Sequence, residues 1–125
     1  METGTSKLMP RGPHALILDA AWRGDAYLIW LQGELDLSGC VSLELALGKA
    51  ERSRAGKIVI DVEQLTFIDA SGLNVLHQAG RRSSSNGNRL GITRGKGDVA
   101  DMFHLTHLDE TLPLIAPRTV ATVPV

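Results

Sequence analysis

Phe67-Ile68-Asp69-Ala70-Ser71-Gly72-Leu73 joins two apolar residues to an acid, a small residue, a hydroxyl and a glycine, and an apolar helical pattern then begins with Leu73, Leu76 and Ala79. Asp is a favoured N-cap because its carboxylate accepts backbone N–H groups that the first helical turn leaves without partners. Asp69 is therefore expected to cap a helix, with Ser71 in the first turn. Gly72 has no side chain, so another protein's backbone is expected to come close to the Ser71 hydroxyl. A hydroxyl on an open helix N-terminus suits a phosphate acceptor, since the helix dipole and the free N–H groups tolerate the added charge. On these seven residues alone the plainer reading, that Ser71 only helps to start a helix, stands beside it.

Upstream, Lys57 to Val62 reads as a central strand. Ile58-Val59-Ile60 is continuous and β-branched, as expected where both sheet faces are covered. A short Glu63–Thr66 segment then leads into the motif. Before that strand, Leu43, Ala46, Leu47 and Ala50 fall at i, i+3, i+4 and i+7 and form one helical face. Asp36 or Ser38 is expected to cap this helix and Gly56 to stop it, with Lys49, Arg52 and Arg54 near its end, where cations suit the dipole. Ala26 to Gly33 is a second strand, dense in apolar and aromatic residues. Arg23-Gly24-Asp25 is turn chemistry, and Ala15 to Ala21 forms a first strand.

Downstream, the helix that begins at the motif is expected to fade in Arg81-Arg82-Ser83-Ser84-Ser85-Asn86-Gly87, which is loop chemistry. Arg89 to Thr93 reads as a fourth strand. Asp98 is expected to cap a third helix with Val99, Met102, Phe103 and Thr106 along one face. Thr111 to Ile115 reads as a last short strand, at an edge because of Pro113. The order β-β-α-β-α-β-α-β predicts an α/β fold: one domain, a mixed sheet of four to five strands, an antiparallel first pair, parallel later crossovers, and three helices covering the sheet. The expected limits are a flexible lead over residues 1–14, the domain over 15–115 and a flexible tail over 116–125.

A chain of 125 residues supports one core. Thirteen Lys and Arg stand against fourteen Asp and Glu, a net charge of −1, so there is no basic footprint for nucleic acid and no polybasic signal for a membrane. Few aromatics argue against a base-stacking platform. Cys40 is the only cysteine, which excludes an internal disulfide and a cysteine-built zinc site. A buried structural thiol in a reducing, cytoplasmic setting is the expectation. No stretch approaches the roughly 20 apolar residues of a membrane span, so membrane insertion is not expected.

Nor does a catalytic constellation stand out, and the chain is read as a non-enzyme without cofactor or metal. Ser71 is not in a Gly-x-Ser-x-Gly elbow. His77 lies about 9 Å along the same helix, too far to act as a base for Ser71. His104 and His107 are spaced to share a helix face, but no further metal ligand accompanies them. Asp61 and Asp69 have no cleft between them in the sequence pattern. Arg94-Gly95-Lys96-Gly97-Asp98 follows a strand but lacks the full phosphate-binding pattern.

Gly33-Glu34-Leu35-Asp36 after the second strand, Ile58-Val59-Ile60-Asp61 followed by Phe67-Ile68-Asp69-Ala70-Ser71-Gly72-Leu73, and Leu105-Thr106-His107-Leu108 occur in that order. With them, the chain resembles the STAS domain of bacterial anti-sigma factor antagonists, over roughly Leu16 to Ile115. The resemblance implies that Ser71, the hydroxyl residue before the glycine, is phosphorylated by an anti-sigma factor that is itself an ATP-dependent serine kinase. Ala70 stands where the family carries a serine, which leaves Ser71 the sole hydroxyl of the motif. The implied docking residues are Asp36, Asp69, Ala70, Ser71, Gly72 and Asn74, with a serine phosphatase as second partner. Lone STAS domains also serve as cytoplasmic subunits or regulators of membrane transporters, including lipid ABC systems. That alternative does not require Ser71 to be phosphorylated.

Overall fold

A computed structural model describes residues 15–117. Along the chain run β1 (Ile17–Arg23), β2 (Ala26–Leu35), α1 (Leu37–Arg52), β3 (Lys57–Ile68), α2 (Ala70–Ser85), β4 (Leu90–Thr93), α3 (Gly97–Leu105), a 3₁₀ turn (Leu108–Glu110) and β5 (Leu114–Ile115). The five strands form one sheet in sequence order. β1 and β2 are antiparallel, and every later pairing is parallel. The α/β class, the mixed sheet and the three helices therefore stand as the sequence implies. The expected lead falls outside the described residues, as does the expected tail beyond residue 117.

Strand alternation sends Tyr27, Ile29 and Leu31 of β2, and Ile58, Ile60 and Val62 of β3, into the main core. There they meet Leu43, Leu47 and Ala50 of α1 and Leu73, Leu76 and Ala79 of α2. The other side of the sheet carries a small second cluster of Ala26, Leu28 and Val59, with Trp30 and Ile115 against it. α3 packs near β3 and buries Val99 and Phe103.

Several boundaries differ from the sequence expectation for identifiable reasons. β1 begins and ends two residues later than the apolar run, because Trp22 and Arg23 pair with Tyr27 and Ala26 across the two-residue turn Gly24-Asp25, where Gly24 has φ 59°. β3 does not stop at Val62 but runs to Ile68. It does so through two register shifts against β2, between Trp30 and Gln32 and between Gly33 and Glu34, each of which accommodates one extra residue on β3. Such bulges break the period-2 pattern that marks a strand in sequence. Where β3 and β4 cease to pair after Ile60 and Ile92, the buried Thr93 Oγ1 accepts from the Val62 amide (2.9 Å).

Ser53, not Gly56, ends α1: its N–H (3.1 Å) and Oγ (2.6 Å) both donate to Ala50 O. Gly56 instead lies against Asp25, whose Oδ1 accepts its amide at 2.9 Å. α2 persists through the serine run to Ser85, and two of the serines are bonded within the fold. Ser84 Oγ donates to Arg81 O (2.9 Å), and Ser83 Oγ accepts from the Leu90 amide (3.1 Å). α3 starts at Gly97 with Lys96 in the cap position, so Asp98 lies in the first turn rather than capping it. Thr106 is exposed and ends α3, donating to Met102 O at 2.6 Å. β5 shrinks to two residues because the Thr111 and Leu112 amides close turns on Leu108 O, at 3.1 and 2.8 Å, instead of pairing in the sheet.

Gly48, within α1, offers a direct test of helix packing. A Cβ added there meets only Arg52 Nη1, at 3.1 Å, the far end of a flexible side chain. Gly48→Ala is expected to stabilise the chain by about 0.5–1 kcal/mol through helix propensity, read as a raised urea midpoint.

Candidate functional site

The C-terminal ends of β2 and β3 lie side by side, with Leu35 opposite Ile68, and each strand feeds a helix after one intervening residue. That residue is an aspartate in both cases. Asp36 caps α1 and accepts from Ser38 N (3.1 Å) and Ser38 Oγ (2.7 Å). Asp69 caps α2 and accepts from Gly72 N (3.0 Å) and Ser71 Oγ (2.6 Å). The two N-termini thus repeat one local design, Asp36-Leu37-Ser38-Gly39 and Asp69-Ala70-Ser71-Gly72. The repeat is visible in the sequence as Asp-x-Ser-Gly and is the signal that identifies Asp36 rather than Ser38 as the first cap.

Ser71 is half-buried at the start of α2, whereas Ala70 and Asn74 are exposed. Positions 71 and 74 are neighbours on a helix surface. Burial raises the Asp69 pKa, but hydrogen bonds from Ser71 Oγ and from the Gly72, Ser71 and Leu37 amides outweigh it and hold the carboxyl below its usual value. The site therefore presents an ionised carboxylate bonded to a serine hydroxyl, beside a second capped helix start.

Gly72 is placed otherwise than expected. It is buried and faces inward: an added Cβ would lie 2.8 Å from Leu35 Cγ, 2.9 Å from Leu35 O and 2.9 Å from Ile68 Cγ1. Its bare backbone serves the packing of α2 on the strand ends, not the approach of a partner.

Cys40, in α1, is buried as expected and donates from Sγ to Asp36 O (3.3 Å), but two features of this end escaped the sequence reading. Burial pushes its thiol pKa up; the Ser71 hydroxyl lowers it, and the carboxylates of Asp69, Glu44 and Asp36 raise it further. Cys40 thus lies beside Ser71, a proximity no linear pattern encodes. On the outside of α1, Leu37, Val41 and Leu45 are 73%, 65% and 70% exposed. At i, i+4 and i+8 they form an apolar stripe that starts next to Asp36.

The remaining sequence candidates lie apart from this site. Asp61 Oδ1 accepts from Glu63 N (2.9 Å) within β3. The Gly95 amide is already taken by Glu63 Oε2 (2.7 Å), which places a carboxylate where a phosphate cradle would need free donors. His104 lies in the last turn of α3, and His107 lies beyond the helix in the left-handed region (φ 61°). Each turns to its own acid, Asp109 at 2.9 Å and Glu110 at 3.5 Å, so they do not share a helix face. The hydrogen bond that His104 donates to Asp109 raises the His104 pKa. Among the described residues no group of three or more His, Cys, Asp or Glu is placed to hold a metal ion, and no helix is long and apolar enough to cross a membrane.

A five-stranded mixed sheet with two capped helix starts at adjacent strand ends defines a small α/β domain. Residues 18–116 match the family model described as Mlab, STAS domain, and the chain belongs to the STAS family. It is similar to the structure of an anti-sigma factor antagonist from Mycobacterium paratuberculosis, with TM-score 0.73 and 23% identity over 90% of this chain and 97% of that one. It is also similar to the anti-sigma factor antagonist SpoIIAA in its unphosphorylated form, with TM-score 0.66 and 20% identity over 86% and 93%. A third similar structure is the Bacillus cell fate determinant SpoIIAA in the phosphorylated form, with TM-score 0.62 and 19% identity over 86% and 96%.

Proposed function

We propose that this chain is an anti-sigma factor antagonist, a binding protein and not an enzyme, working in the cytoplasm. In this reading it docks on an ATP-dependent anti-sigma serine kinase through the start of α2 and is released when Ser71 is phosphorylated. A serine phosphatase resets it. The observation that carries the reading is the Ser71 hydroxyl, held at 2.6 Å on Asp69 in the first turn of α2, beside the exposed Ala70 and Asn74. Asp36 borders the same surface from the start of α1. Esterification of Ser71 Oγ removes the proton that makes the bond to Asp69 and sets a charge of roughly −1.5 to −2 beside that carboxylate. A partner surface shaped for a neutral hydroxyl then meets desolvation and like-charge repulsion, while the helix N-terminus keeps the domain folded.

The test is affinity capture from the source cells with wild type, Ser71→Ala and Ser71→Glu as baits. A serine kinase held by the first two and lost by Ser71→Glu is the expected result. Equal capture by all three overturns the switch. A second reading, a cytoplasmic subunit or regulator of a membrane transporter, is favoured by the stripe Leu37, Val41 and Leu45, a contact surface whose use needs no change at Ser71. Transporter subunits held equally by all three baits are its signature.

A further inference from the structure

At the opposite end of α2 from Ser71, the last turns of α1 and α2 enclose a cleft of about 240 Å³ above the first residues of β3 and β4. Its floor is apolar and buried: Leu47, Ile58, Ala79 and Leu90. Its rim is polar: Glu51, Arg82 and Asn86. Arg82 reaches from α2 to Glu51 on α1, with Nε 3.2 Å from each carboxylate oxygen and Nη2 3.0 Å from Oε2. Arg89 forms part of the wall, and its guanidinium is committed to carbonyls at the end of α1 and just beyond: Ala55 O at 2.6 Å, Glu51 O at 2.7 Å and Ser53 O at 3.3 Å.

The charged groups that line this cleft are two cations, Arg82 and Arg89, against one acid, Glu51. A dry apolar cavity of roughly 150 Å³ is enough to take up a benzene ring. A larger one with a cationic mouth selects a molecule that joins one ring or a short chain to one negative charge. The carboxylate that Arg82 already grips shows which group fits its fork: a planar, two-oxygen anion.

We propose that this cleft binds a small hydrophobic carboxylate, with its hydrocarbon on Leu47, Ile58, Ala79 and Leu90 and its carboxylate on Arg82 in place of Glu51. Neither the Ser71 reading nor its failure bears on this site, which stands on the cleft alone.

The probe is sodium benzoate, titrated into the full chain while amide chemical shifts are followed. With nine heavy atoms, benzoate is expected to saturate with a Kd on the order of 1 mM, with the largest shifts at Ala79, Ser83 and Leu90. Benzyl alcohol, which carries the same ring without the charged carboxylate, is expected to bind about tenfold more weakly, and Arg82→Gln is expected to weaken benzoate by a similar factor. Glu51→Gln removes the internal competitor and is expected to tighten benzoate about fivefold. Both substitutions are at the rim and leave the core intact. Benzyl alcohol binding as tightly as benzoate, no loss in Arg82→Gln, or shifts that lie elsewhere or fail to saturate each overturn the proposal.

Discussion

Gly72→Ala is expected to destabilise the chain by about 2–3 kcal/mol, against the ordinary preference of a helix for alanine over glycine. The reversal comes from the strand ends beneath α2. The added methyl group meets Leu35 Cγ, Leu35 O and Ile68 Cγ1 at 2.8 to 2.9 Å, well inside van der Waals contact. Leu35 and Ile68 are buried and paired across the sheet, so neither has room to move aside. Leu35 O also accepts the Asp69 amide at 3.1 Å, so shifting α2 outward strains the bond that seats its cap. A urea denaturation series pairing Gly72→Ala with Gly48→Ala separates packing from propensity, because the two are expected to move the midpoint in opposite directions. A Gly72→Ala midpoint at or above wild type would show that the strand ends yield and that the packing account is wrong.

What was legible in the sequence follows from how local each signal is. Helix faces in α1 and α2 were readable because Leu43, Ala46, Leu47 and Ala50, and Leu73, Leu76 and Ala79, repeat at the helical period and all prove buried. The antiparallel hairpin was readable from Gly24-Asp25 between two apolar runs. The full length of β3 was not, because two extra residues between Asp61 and Phe67 destroy the alternation that marks a strand. Likewise Gly56 resembles a helix stop in sequence, yet it makes room for Asp25, thirty-one positions away. Long-range contacts of this kind leave no periodic trace.

The candidate site divides along the same line. Asp69, Ser71 and the helix start were readable because a cap is a contact between residues two or three apart. The inward orientation of Gly72 was not, since it depends on Leu35 from another strand. Cys40 beside Ser71 depends on α1 and α2 starting from adjacent strands, a consequence of β2–β3 register. The basic cleft at the other end needs Arg82 and Arg89 to converge with Glu51 from a different helix. In the sequence Arg82 read only as part of a polar run and Arg89 as the start of a strand.

Asp69→Ala is expected to lower stability at pH 7 by about 2 kcal/mol, the upper end for loss of an N-cap, because the substitution removes the acceptor of both Gly72 N and Ser71 Oγ. Asp69→Asn keeps an oxygen in the same place and is expected to recover most of that loss. The two variants part from wild type in acid. The Asp69 carboxyl is held below its usual value in the folded chain, so its contribution is fully present above the ordinary aspartate pKa of about 3.9 and is lost as the pH falls through the lower folded value. Wild type should therefore lose stability relative to Asp69→Asn as the pH drops from about 5, and the gap between the two should be constant above that. Urea midpoints taken from pH 7 down to pH 3 check this, and a wild-type to Asp69→Asn difference independent of pH over that range would mean that the Asp69 charge does not hold the first turn of α2. The same carboxylate ties stability to the proposed switch. Loss of the Ser71 Oγ proton leaves Asp69 to backbone amides, so Ser71→Ala and Asp69→Asn are expected to remain folded and to add no charge to the site. Ser71→Glu sets a second carboxylate beside the first and is expected to raise the Asp69 pKa toward its ordinary value, bringing the acid transition of that variant to higher pH than in wild type.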